Sequence, residues 1–299
     1  MLDMGIDSLD ECGIEEARKV LKKEQTKLRI HKFTSNKLAV IGGMILLVVV
    51  TAAVFAPLLS PYDPYEMTVS KRLYAPGAQH LFGTDTFGRD LFTRVLYGSR
   101  ISLVIGASVS LISLIIGMFF GLYASYYKPL DNVLMRICDG LNAVPASLLA
   151  IAFMAVLGAS VKNVIISLAV VYIPNIARIT RGSALSVKEQ TYIEAMRALG
   201  AKPSHIIWRH IAANVLCPVI VQASFIFANA IITEAALSFL GVGVPVPTPS
   251  WGNILYEGKA VIFKAWWMIF FPGICTAVSV LGLNLFGDGL RDVLDPQTN

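Results

Sequence analysis

Three side chains close together in the sequence could converge on a cation: His80, Asp85 and Asp90. Gly83 and Gly88 fall between them, and glycines so placed mark backbone turns rather than a ligand set. Arg89, Asp85 and Asp90 are therefore expected to form structural pairs. His205 and His210 stand five residues apart, off the i, i+4 spacing of a helical zinc pair. Cys12, Cys138, Cys217 and Cys275 are scattered, with no CxxC, which supports neither a disulfide framework nor a zinc site. No GxxxxGKS/T phosphate loop and no GxSxG elbow occurs, so ATP binding and serine-ester chemistry are not expected of this chain. Glu234 lies at the end of an apolar run, where a carboxylate is costly. Together with Asn229 it points to a solute pathway, or else to a structural hydrogen bond between helices; both readings stay open.

The most informative polar segment is 180–212. Ser186 to Leu199 reads SVKEQTYIEAMRAL, a helical pattern that Gly200 is placed to stop. Ala201-Lys202-Pro203-Ser204 turns the chain. A second short helix is expected from Ser204 to Ala213, with Ile206, Ile207 and Ile211 on its apolar side. Helix, glycine turn and helix make a shape suited to docking into another protein; a plain surface connector is the alternative.

The elements that must position these residues are apolar. Of 299 residues, 55% are hydrophobic and 15% charged, with a mean hydropathy of +0.64; a soluble domain carries roughly 25% charge. Long apolar blocks exclude disorder and a disulfide scaffold, and fit an ordinary soluble enzyme poorly. Spans of about 20 residues are expected at 38–59, 101–127, 141–158, 163–179, 215–239 and 266–286. Gly106, Gly117 and Gly121 suit the second span to close helix contact. A short polar connection is expected at 128–140, and Pro174 interrupts the fourth span.

Residues 1–37 carry both signs of charge. Ile14, Ala17, Leu21 and Leu28 fall near one helical face, with Lys19, Lys22, Lys23 and Lys27 among them. This reads as an amphipathic helix on the membrane surface, with a solvated basic tail as the alternative. So long a charged lead-in is unlike the short basic start of a cleaved signal, so 38–59 is expected to remain as an anchor. The net charge of +5 fits a cytoplasmic bias of loops better than a nucleic-acid partner. With residues 1–37 inside, 17 of the 25 Lys and Arg fall on the cytoplasmic side and 8 outside, which places both termini in the cytoplasm. The chain then divides into a cytoplasmic segment at 1–37, a first span at 38–59, an outer loop at 60–100 and a membrane domain at 101–299.

Several motifs carry a family resemblance. Glu194-Ala195-Met196, followed by Gly200, resembles the cytoplasmic Glu-Ala-Ala...Gly loop of ABC-transporter importer permeases. That loop usually continues with Ile-x-Leu-Pro, where this chain has Ile211-Ala212-Ala213-Asn214. Gly83-Thr84-Asp85, Gly88-Arg89-Asp90, Arg94, Gly98 and Arg100-Ile101-Ser102 resemble the segment before span two of the dipeptide/oligopeptide/nickel permeases. Similar matches are Glu234-Ala235-Ala236-Leu237-Ser238-Phe239-Leu240-Gly241, Pro247 to Gly252, Phe271-Pro272-Gly273 and Asn284 to Asp292 with Asp295-Pro296. The chain looks most like the second permease subunit, the one with a short outer loop.

The resemblance implies an all-α integral membrane fold with six spans, an N-terminal amphipathic helix and a cytoplasmic helix-turn-helix coupling loop. It implies one half of a translocation pathway for di- or oligopeptides, in a bacterial or archaeal plasma membrane. The implied partners are a second, homologous permease subunit, two ATP-binding subunits and an extracytoplasmic solute-binding protein. ATP and Mg belong to the ATPase subunits, and no cofactor to this chain. The coupling contacts would be Glu194, Ala195, Met196, Arg197, Gly200 and Lys202. Nickel chelates, glutathione or opines are alternative cargoes, and a membrane-embedded enzyme is the alternative of a different class.

Overall fold

In hydrocarbon every backbone N–H and C=O must find a partner within the protein, which favours helices. The computed structural model describes residues 34–294. Among these residues the fold is helical, with a single isolated bridge between Thr84 and Asp90 in place of any strand. The amphipathic helix expected over 14–28 lies outside the described residues.

Helix α1 spans Lys37–Val54 and α2 Ala56–Leu59. Asn36 caps α1, accepting from the Leu38 and Ala39 N–H groups at 3.0 and 3.2 Å. Helix α3, Leu91–Tyr126, has 36 residues, or about 54 Å at 1.5 Å per residue. It begins well before the span expected at 101–127. Its charged first turns look too polar for a span, but Arg94 is fully buried against carboxylates and Asp90 caps the start.

The expected polar connection at 128–140 is instead a helix, α4, Lys128–Asn142. Arg178 and Arg181 of the later helix α6, Val161–Lys188, pair with Asp139 and Asp131 on α4. A 93° bend then leads into α5, Ala146–Leu157. Pro145 stands at this bend, where a proline disfavours helix in the residue before it. With 12 residues, α5 reaches only about 18 Å, too short to cross alone. The third span expected at 141–158 is therefore corrected to the bent pair α4–α5. Helix α6 passes through Pro174 without interruption and runs beyond the expected end at 179.

The expected helix 186–199 is broken at Glu189–Gln190, leaving α7 as Thr191–Ala198. The second short helix is not separate either. It forms the first turns of a 37-residue helix, α8, Pro203–Phe239, whose Ile206–Ile211 stretch is π-helical. Ala212 and Ala213 favour helix, and no proline stands there to end it. Two further helices follow: α9, Trp251–Lys259, in a segment expected to be loop, and α10, Trp267–Leu294.

Among the described residues, five helices are long and apolar enough to cross a membrane: α1, α3, α6, α8 and α10. The pair α4–α5 makes a sixth if counted as one bent span. Close contact uses glycine as the sequence suggests. Gly117 and Gly121 of α3 lie against Ile176 and Thr180 of α6, and a Cβ on either would stand 2.5–2.6 Å from the facing side chain. Gly42 brings α1 equally close to α10, and Asn36 donates to Asp292 at 2.9 Å to tie their ends together. The largest buried cluster lies between α3, α6 and α8 and includes Leu122, Ile176, Ile193 and Ile207. A second one surrounds Trp251, Trp267 and Met268.

Candidate functional site

The 191–202 hairpin projects from the end of the bundle where α3 and α6 finish. Ile193 is fully buried and anchors it, with Met196 half-buried beside the core. Glu194, Ala195, Arg197, Gly200 and Lys202 are exposed, and Leu199 at the tip is 86% exposed. Gly200 has φ +77°. Its N–H donates to the Arg197 carbonyl at 3.0 Å and the Ala201 N–H to the Met196 carbonyl at 3.0 Å. These two bonds form a Schellman cap, which needs a left-handed residue at this position. The Arg197 guanidinium lies 5.1 Å from the Tyr126 ring at the end of α3, and Lys188 donates to the Ser125 carbonyl at 2.8 Å. The hairpin is thus held from the bundle side while its outer face carries the Glu194 carboxylate, the Lys202 cation and an apolar tip at Leu199. Such a face can dock into a groove of another protein.

At the opposite end, the turn Asp85–Arg89 is closed by Asp85 Oδ1, which accepts from the Phe87 and Arg89 N–H groups at 2.8 and 3.0 Å. Gly83 and Gly88 both have positive φ, +79° and +78°. The Arg89 Nε meets Asp85 Oδ2 at 2.5 Å, and its Nη2 meets Glu257 Oε2 at 2.7 Å. Arg94 reaches the same two carboxylates at 3.5 and 3.2 Å. All four side chains are buried, and their formal charges cancel. Asp90 belongs to a separate pair, with His80 Nδ1 at 2.9 Å, and also accepts from the Thr93 N–H at 2.8 Å. His80, Asp85 and Asp90 thus do not converge, and no cluster of three metal-ligating side chains is found among the described residues. Glu257 has no motif around it in the sequence. The local signal available was Ser250 as a cap for Asn253, which starts α9.

Glu234 is fully buried in α8. Ser102 of α3 donates to its Oε2 at 2.9 Å and Ser238 to its Oε1 at 2.8 Å. Ser238 Oγ accepts from the Val244 N–H at 3.0 Å, so the carboxylate ties α3 to the loop that follows α8. Asn229 is on an exposed face of α8 and is not brought to Glu234.

Among the described residues, a bundle of apolar helices with a projecting hairpin fits a membrane transport subunit. The chain belongs to the family described as binding-protein-dependent transport system inner membrane component, matched over residues 113–299, and residues 25–76 match the N-terminal TM domain of oligopeptide transport permease C. It is 51% identical to the putative peptide transport system permease protein of Brucella suis, over 86% of this chain and 87% of the relative. It is 45% identical to the dipeptide transport system permease protein DppC of Alkalihalophilus pseudofirmus, over 88% and 86%. The glutathione transport system permease protein GsiD of Pectobacterium atrosepticum is 41% identical, over 89% of each chain. In fold it is similar to a chain of the MetNI methionine ABC transporter solved in inward-facing form, with TM-score 0.57 and 20% identity, covering 68% of this chain and 97% of that one.

Proposed function

We propose that this chain is one of two permease subunits of a binding-protein-dependent ABC importer, and that its cargo is di- or oligopeptides. The peptide assignment is supported by relatives named for peptide and dipeptide transport at 45–51% identity. The relative named for glutathione favours a second reading, in which the cargo is a short peptide-like thiol. In either reading the membrane domain 101–299 supplies half of the pathway. A homologous permease supplies the other half, two ATPase subunits drive the cycle and an outer binding protein delivers the cargo. Both termini and the hairpin face the cytoplasm.

The observation that carries the coupling role is the hairpin itself, fixed on its inner side by Ile193 and Arg197 and exposed at Glu194, Leu199 and Lys202. It transmits closure of the ATPases to α6 and α8, the helices on either side of it. The test is uptake of a labelled dipeptide into vesicles holding the assembled transporter. Gly200→Val places a β-branched residue at φ +77°; the expected result is intact insertion, lost uptake and loosened ATPases. Gly200→Asn, which tolerates the left-handed region, retains most uptake. Full uptake and ATPase retention in Gly200→Val would remove the mechanical basis of the assignment.

A further inference from the structure

Arg100 differs from the two arginines that precede it, Arg89 and Arg94. Arg94 belongs to the buried four-charge cluster, and so does Arg89 just ahead of the helix. Arg100 makes no ion pair among the described residues; its guanidinium lies over the Tyr97 ring, 5.7 Å from the centroid. It is half-buried and lines an open groove of about 360 Å³ between α1, α3 and α8. The rest of the lining is apolar, including Val50 and Val54 from α1, Val104 from α3 and Phe227 from α8. Gly106 lets the Phe227 ring lie directly on α3, since a Cβ there would stand 2.7 Å from two ring carbons.

The level of this groove decides what it can hold. Val54 is the last residue of α1, and the polar loop begins at Ser60, just beyond α2. Arg100 is the lining residue of α3 nearest that end, and Val104 and Ala107 follow deeper along the helix. The cation therefore sits where a span leaves the hydrocarbon, with an apolar slot running inward from it. Val50, Val54 and Val104 are 44–57% exposed, so the slot is open along its length. A protein partner would have to bring a carboxylate to this depth, at the cost of burying it. An anionic lipid already carries its phosphate at that level, and a guanidinium pairs with phosphate through two parallel hydrogen bonds.

We propose that Arg100 and this groove form a binding site for an anionic phospholipid, with the phosphate on the guanidinium and one acyl chain between α1 and α3. The probe is phosphatidylglycerol, offered in competition with phosphatidylcholine of the same chain length. The full chain, purified with the subunits that accompany it, is equilibrated with both lipids in detergent. Retained lipid is then counted by native mass spectrometry. The wild type retains phosphatidylglycerol preferentially. Arg100→Gln lowers that preference roughly tenfold, the loss expected of one charge-assisted contact, while Arg100→Lys keeps part of it and reports that the bundle is intact. Val104→Trp fills the slot and lowers retention with the charge in place. Unchanged preference in both Arg100→Gln and Val104→Trp overturns the site. So does loss of an accompanying subunit with lipid retention unaltered, because the groove is then a protein interface.

Discussion

Replacing Glu257 by alanine leaves Arg89 and Arg94 facing one carboxylate instead of two. In the wild type, Asp85, Arg89, Arg94 and Glu257 are 0–6% exposed at their side chains, and their charges sum to zero. Removing Glu257 leaves a net positive charge buried between the start of α3 and α9. Stranding a buried charge in this way costs about 3–5 kcal/mol, or roughly two to four powers of ten in a folding equilibrium. The sign of the effect can be tested separately from its size. In the double variant Glu257→Ala with Arg94→Met, the remaining Arg89–Asp85 pair is neutral again. The double variant should therefore be more stable than Glu257→Ala alone, although it has lost more contacts. Thermal unfolding of the purified full chain in detergent, with protease sensitivity of the 60–90 loop as a second readout, measures both. If the double variant is the less stable of the two, the cluster is held by packing and the charge argument fails.

Two further outcomes follow from the same geometry. Glu234→Ala takes away the acceptor of the Ser102 and Ser238 O–H groups, at about 1–3 kcal/mol for each buried donor left unsatisfied. It should lower the yield of assembled protein, whereas Glu234→Gln, which keeps an acceptor, should do so less; equal yields for the two would count against the hydrogen-bond role. Single cysteines at Phe263 and Leu199, 102% and 86% exposed, should react with an impermeant maleimide from opposite faces of the membrane in a background lacking the native cysteines. Labelling of position 199 from outside would reverse the proposed orientation.

What could be read from the sequence depended on how local the determining physics is. The Gly200 stop was legible because a Schellman cap is decided within six residues, Met196 to Ala201. The close contacts at Gly117 and Gly121 were legible because small residues within a span have few other uses. Helix α4 was not, because its Asp131, Arg136 and Asp139 resemble a solvated connection until Arg178 and Arg181 arrive from another helix. The early start of α3 was hidden for the same reason. A helix turn bearing Arg94 reads as polar unless its partner is known, and that partner, Glu257, is 163 residues away. Polar residues in a membrane chain thus give ambiguous signals one at a time. Their meaning depends on which are paired across the bundle and which, like Arg100, are left for a molecule outside the chain.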